Sequence, residues 1–217
     1  MLTCCAVCCL VQTARALSRW PAHGGPRPAV HRVAWRDGST LLTAGADGDA
    51  LLYDVRAPLA APALCLVSAP RRGAGAPPPL RHAAWAPAAA AGAAASLLAV
   101  ATADAESAFV LDVRAAGGSG GAEAPAVLAE LVLEQGCLNG IAWAPHGEHL
   151  AGALSDSRMV VWDLSGSLGP PGAPRGAKLQ AAYEYTAAAE LNAIAWTGPH
   201  PGRVAVAHGS TVQVLIV

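Results

Sequence analysis

Lysine is almost missing from this 217-residue chain: Lys178 is the only one, and the 14 basic residues face 15 acidic ones. With a formal net charge of −1 there is no basic surplus to neutralise a phosphate backbone, so direct nucleic-acid binding is not expected. Aromatic residues are also scarce, at 5%. Hydrophobic residues still reach 53%, so alanine carries much of the apolar count. The bias toward Ala, Arg, Gly and Pro reads as compositional habit and carries no functional weight. No phosphate-cradling glycine loop ending in Lys-Ser/Thr is present. The apolar start, residues 1–11, has no basic stretch before it; Arg15 and Arg19 come after it, which argues against a secretory signal. The alanine-rich stretch 86–103 is interrupted by Pro87 and Gly92 and is only weakly lipophilic, so no membrane span is expected. The expected compartment is the cytoplasm, the nucleus or both.

Four of the six cysteines crowd into Cys4-Cys5-Ala6-Val7-Cys8-Cys9, while Cys65 and Cys137 stand alone. Two adjacent pairs this close converge poorly on a tetrahedral metal, and no distant partner cluster exists. Reduced, buried thiols in an intracellular protein are the plain reading. A metal site, a disulfide, or S-acylation of the terminal cluster are the alternatives.

Against these shortages the chain repeats itself. Four short apolar segments end in Ala-Trp: Val33-Ala34-Trp35, Ala83-Ala84-Trp85, Ile141-Ala142-Trp143 and Ile194-Ala195-Trp196. The tryptophans are 50, 58 and 53 residues apart. Each is followed by a second apolar run, beginning at Leu41, Leu97, Leu150 and Val204. Turn residues come next, around Asp47, Asp104, Asp156 and Gly209. A third run then closes each unit: Leu51 to Arg56, Phe109 to Arg114, Val160 to Leu164 and Val212 to Val217. Candidate fourth strands are residues 63–67, 126–133 and 179–185. Four antiparallel strands per unit make a propeller blade, with a usual period of about 40–45 residues. The excess length falls in Ala/Gly/Pro-rich connectors at 70–79, 87–95, 115–125 and 165–176, read as surface loops.

The expected architecture is therefore all-β: a partial WD-repeat β-propeller of four-stranded antiparallel blades, with about four blades' worth of chain. Residues 1–30 read as partial blade strands and a linker. The blades are assigned to 31–67, 80–133, 138–186 and 191–217. Trp35, Trp85, Trp143 and Trp196 suit the space between neighbouring blades. Asp47, Asp104 and Asp156 fit the turns, and Trp162 and Asp163 end the third strand of their unit. In the first unit His23, Thr43, Asp47 and Tyr53 form a candidate hydrogen-bond network. Glu134 stands where the third unit needs that histidine, which predicts a degenerate network there.

The segment Asn139-Gly140-Ile141-Ala142-Trp143-Ala144-Pro145-His146 resembles the Transparent Testa Glabra and light-regulated WD group, whose animal relatives are cullin-RING-ligase-associated factors. Leu111-Asp112-Val113-Arg114, Ala182-Tyr183, Tyr185-Thr186-Ala187 and Glu190-Leu191-Asn192 extend the resemblance. That family has seven blades and longer chains, so the match is to its C-terminal half, and a fragment is one expectation. Another has residues 14–20 supplying the fourth strand of the last blade and closing a four-bladed ring.

The resemblance implies a non-enzymatic scaffold for regulatory complexes, with helix-loop-helix and Myb-type transcription factors or protein kinases as partners. The alternatives are a substrate receptor of a cullin-RING ubiquitin ligase and an incomplete fragment without independent function. Tyr53-Asp54-Val55-Arg56, echoed by Asp112 and Arg114, resembles the box by which some propellers dock a cullin-4 adaptor. The competing reading is a blade-edge cap in which Asp and Arg pair locally. Neither catalytic residues nor a cofactor nor a metal site is expected. Gly117-Gly118-Ser119-Gly120-Gly121 matches a nucleophile pattern only formally. His146 and His149 fall at a strand-to-strand turn, where exposed histidine is ordinary.

Overall fold

A computed structural model describes residues 6–10, 15–23, 29–57, 64–68, 78–87, 96–103, 108–113, 126–167, 176–197 and 202–217; for 6–10, 15–20 and 64–68 it describes the backbone only. Strands β1 (Ala6–Leu10) and β2 (Arg15–Trp20) pair as an antiparallel ribbon. Blade 1 is β3 (Val30–Trp35), β4 (Thr40–Gly45), β5 (Asp49–Asp54) and β6 (Leu64–Ser68), hydrogen-bonded in that order. Blade 2 contains β7 (Leu80–Trp85), β8 (Leu97–Thr102), β9 (Ala108–Asp112) and β10 (Ala126–Leu131). Blade 3 starts with β11 (Leu138–Trp143), β12 (His149–Leu154) and β13 (Arg158–Asp163). Next in the chain comes β14 (Ala177–Leu179), and β15 (Tyr183–Thr186) completes blade 3. Blade 4 is β16 (Leu191–Trp196), β17 (Arg203–His208) and β18 (Thr211–Ile216).

Two expectations change. The stretch 179–185, read as one fourth strand, is divided. Tyr183–Thr186 pairs with β13, but Ala177–Leu179 crosses to blade 2 and runs parallel to β10, matching Ala129, Glu130 and Leu131 to Ala177, Lys178 and Leu179. Blade 2 thus gains a fifth strand at its outer edge, with Lys178 Nζ 3.8 Å from Glu130 Oε2. The second change concerns ring closure. Arg15–Trp20 pairs with β1, and among the described residues β18 pairs only with β17, so the described part of that stretch, Arg15–Trp20, does not complete blade 4.

Alanine abundance has a packing reason. The second and third strands of blades 1 to 3 are covered on both faces, which favours short continuous apolar runs. Leu42, Ala44, Ala50 and Leu52 of blade 1 pack on Leu80, Leu98, Val100 and Leu111 of blade 2. The opposite face of blade 2, with Leu97, Ala99, Ala101 and Val110, meets Trp143, Leu150, Val160 and Trp162 of blade 3. Small side chains on one sheet admit large ones from the next, which fills the gap without strain. The alanine-rich 97–102 run is one of these strands.

Every first strand carries the same irregularity. The ladder slips at the second residue of β3, β7, β11 and β16, leaving His31, Arg81, Asn139 and Asn192 unpaired with the second strand. A bulge re-aims the side chain it carries. All four residues bear hydrogen-bond donors, and they stand at the end of the blade opposite the tryptophans.

Candidate interaction surface

Within blade 1 the anticipated network is present. His23 Nδ1 lies 2.8 Å from Asp47 Oδ1, and its Nε2 lies 2.8 Å from the Thr43 hydroxyl. Tyr53 joins differently: its hydroxyl donates to the Ala22 carbonyl at 2.8 Å, beside the histidine. Together these bonds pin the entering segment 21–23 onto β4 and β5. In blade 3 the network is replaced. Arg158 Nε donates to Asp156 Oδ2 at 2.8 Å, Nη2 to the Gln135 carbonyl at 3.2 Å, and Nη1 lies 3.6 Å from Glu184 and 4.0 Å from Glu134. Glu134 alone beside Asp156 would set two carboxylates together; the guanidinium between them removes that repulsion. These acids raise the Arg158 pKa, Asp156 most. Thr43 has Gly152 as its counterpart, where an added Cβ would sit 2.6 Å from Leu138 Cδ2 and 3.0 Å from the Trp162 ring. Trp162 is fully buried, and its indole nitrogen has no hydrogen-bond partner.

The docking candidates are presented unequally. Tyr53 is 1% exposed, so it cannot meet a partner and serves the blade interior instead. Asp112 is buried as well. Arg114 and Asp104 lie outside the described residues. Asp54 and Arg56 remain at the surface. Arg56 Nε and Nη2 donate to Asp54 Oδ1 and Oδ2 at 2.9 and 2.7 Å, the local pairing weighed above. This fork holds the Asp54 carboxyl down at about 2, with the Arg56 side chain first among the causes. Arg56 is still 74% exposed, and the outer edge of its guanidinium faces solvent. In the third unit Asp163 instead accepts from the Ser165 backbone at 2.8 Å.

The repeat tryptophans also differ. Trp143 Nε1 donates to the Ala84 carbonyl, and Trp196 Nε1 to the Ala142 carbonyl, both at 2.9 Å. Each indole therefore ties its blade to the one before. The Trp85 nitrogen has no partner, and the Arg36 guanidinium lies 4.8 Å over its ring. Trp35 is 51% exposed.

Sequence reasoning missed the bulge residues and Arg158. At the bulged end, His31 Nδ1 reaches the Leu80 carbonyl at 2.8 Å, and Asn139 Nδ2 reaches the Leu191 carbonyl at 2.9 Å. His31 and Arg81 line a cavity of about 540 Å³ with His82. Burial, then the charges of Arg81, Arg32 and His31, push His82 down to about 4. The signal available was a polar residue at one place in all four first strands.

The remaining candidates are quickly placed. His146, His149 and Glu148 line a cavity of about 320 Å³ with Tyr183 and Trp196. Among the described residues no cluster of three His, Cys, Asp or Glu side chains is arranged to hold a metal, and no helix is long and apolar enough to cross a membrane. Cys137 is a half-buried free thiol. The glycine-rich 117–121 stretch and the side chains of the other cysteines lie outside the described residues.

Known structures match this architecture. The C-terminal WD40 domain of Sif2 superimposes with a TM-score of 0.63 at 14% identity, over 94% of this chain and 49% of that one. A chain of the mitotic checkpoint complex does so with a TM-score of 0.63 at 16% identity, over 94% and 55%. The chain has the WD40 propeller fold. Its blades are therefore WD repeats in fold, arranged as part of a propeller. No family model matches this chain. Over 122 residues it is 33% identical to a DDB1- and CUL4-associated factor 7 homolog of Dictyostelium discoideum. That alignment takes in 55% of the chain but spans only 33% of the relative.

Proposed function

We propose that this WD-repeat chain is a non-enzymatic scaffold that holds regulatory proteins together, acting in the cytoplasm or nucleus. The similarity to a DDB1- and CUL4-associated factor homolog carries the reading. Blades stacked through their apolar faces leave loops and strand ends for binding, and specificity then comes from a few exposed anchors. Transcription factors and kinases are the partner classes that the family resemblance implies. Capture of the tagged chain from cells, with quantified co-purifying proteins, tests this; recovery of no stoichiometric protein partner would sink it.

A second reading is favoured by the Asp54–Arg56 fork: a substrate receptor that docks a DDB1 adaptor. Asp54 holds the guanidinium in a fixed orientation, which lowers the entropy lost when an acidic partner group engages its free edge. Arg56→Glu should abolish binding to purified DDB1 in biolayer interferometry. Because the residue is exposed, its stability should change by less than about 0.5 kcal/mol. Unchanged DDB1 binding in Arg56→Glu counts against the receptor and leaves the scaffold reading standing.

A further inference from the structure

The first strands of the four blades pack side by side, β3 on β7, β7 on β11 and β11 on β16, and together they form one wall. Past each bulge the ladder resumes at the next residue: Arg32, His82, Gly140 and Ala193, paired with Ala44, Ala101, Ala153 and Ala207. These four equivalent positions line one cavity of about 180 Å³. Blades 1 and 2 supply its charge, and blades 3 and 4 leave it room. His82 also lines the cavity of about 540 Å³, with His31 and Arg81, a size usual for small-ligand sites. Blade 2 stands between blades 1 and 3, so His82, common to both cavities, lies inside the arc and not at either end of it.

The wall is cationic, and its charge is unmatched. Arg32 and Arg81 are exposed and make no side-chain hydrogen bond or ion pair among the described residues. Glu190, a carboxylate at this end of the blades, already accepts from Asn139 Nδ2 at 2.7 Å. His82 adds a second unmet requirement. It hydrogen-bonds the Leu138 backbone, and its Nε2 is buried without any partner, so Nδ1 makes that bond. Burial, then the neighbouring cations, hold its pKa at about 4, so the ring is neutral near neutral pH. With Nδ1 as the donor, Nε2 presents a bare lone pair. A buried polar atom in this state costs stability until something satisfies it. A group that suits the wall therefore brings negative charge for two guanidiniums and a proton for one nitrogen.

We infer that this wall binds a phosphate monoester, with Arg32 and Arg81 on its anionic oxygens and its remaining hydroxyl donating to His82 Nε2. Guanidinium groups suit phosphate oxygens because their N–H donors engage two oxygens at once. The proton decides among the anions. A phosphate monoester gives up its second proton at about pH 6, so near neutrality it has one to share. A carboxylate is ionised there and has none. A sulfate ester has none either, and each would set lone pair against lone pair at Nε2. Val30, Ile141 and Ile194 beside the charges accommodate the organic part of the ester. A free small molecule and a phosphorylated side chain offer the wall the same group.

Isothermal titration calorimetry of the full chain near neutral pH tests this with phenyl phosphate, phenyl sulfate and a short phosphoserine peptide. Phenyl phosphate should bind, and phenyl sulfate should bind at least about tenfold more weakly. Arg32→Gln and Arg81→Gln, both at exposed residues, should each weaken phenyl phosphate by a similar factor with an unchanged far-UV circular dichroism spectrum. His82→Phe removes the acceptor and should erase the preference for phosphate over sulfate. If that variant misfolds, the two arginine variants and the pair of esters still decide. Peptide binding tighter than phenyl phosphate assigns the ester to a protein side chain; equal or weaker peptide binding assigns it to a free small molecule. Failure of both phosphate esters to bind at millimolar concentration, equal binding of the sulfate, or binding unchanged in both arginine variants overturns the inference.

Discussion

Blades 1 and 3 share strand order and register yet secure their central turns by different chemistry. Blade 1 uses a buried histidine between a carboxylate and a hydroxyl, with Gly48 at φ 83° completing the turn. Blade 3 uses a guanidinium among three acids, with Ser157 forced to φ 72° at the equivalent place. Its third strand carries Trp162 where blade 1 has the smaller Tyr53, and the room comes from Gly152. The turn geometry is thus the shared requirement, and the groups that satisfy it are exchangeable. The glycine leaves room for the ring of the tryptophan, whose buried indole nitrogen has no hydrogen-bond partner.

Substitutions can break this contrast in order of expected size. Trp162→Ala empties the largest buried side chain of blade 3 and should cost about 3–5 kcal/mol in urea unfolding. A loss below about 1 kcal/mol would mean that the indole contributes little to the joint with blade 2. Thr43→Ala leaves the buried His23 Nε2 without its partner and should cost about 1–3 kcal/mol. If thermal unfolding of that variant matches wild type, the blade 1 network holds nothing that the arginine cluster lacks. Ser157→Gly should act in the opposite direction. Relief of a left-handed serine should raise stability by up to about 1–2 kcal/mol, less the extra entropy glycine has when unfolded. A destabilised Ser157→Gly would show that the turn is not strained.

Much of this fold could be read directly from the residues. Four Ala-Trp endings mark four first strands, and two of these tryptophans, Trp143 and Trp196, tie a blade to the one before. The grouping of His23, Thr43, Asp47 and Tyr53 was legible because a half-buried carboxylate needs a donor and a buried histidine needs two partners. Glu134 likewise announced that blade 3 must differ. What replaced the network was hidden, since Arg158 comes from the third strand and not from the connector. The bulge residues were hidden too: a polar residue near a strand end looks like ordinary surface until its carbonyl partner in the next blade is seen. Of the docking residues, Arg56 could be anticipated as exposed, whereas Tyr53 was read both as a docking residue and as a member of the blade network, and only the second holds. The crossing of Ala177–Leu179 leaves no trace in periodicity, because three residues in parallel pairing are too few to show a pattern.

That crossing strand has a mechanical consequence. The connector of blade 3 is laid onto the rim of blade 2 before it returns, so β14 tethers β15 close to its place even when the β13–β15 ladder opens. Such a tether links the local opening of blade 3 to that of blade 2. The added strand also occupies the rim of β10, where an open ladder would invite a stray strand from another molecule.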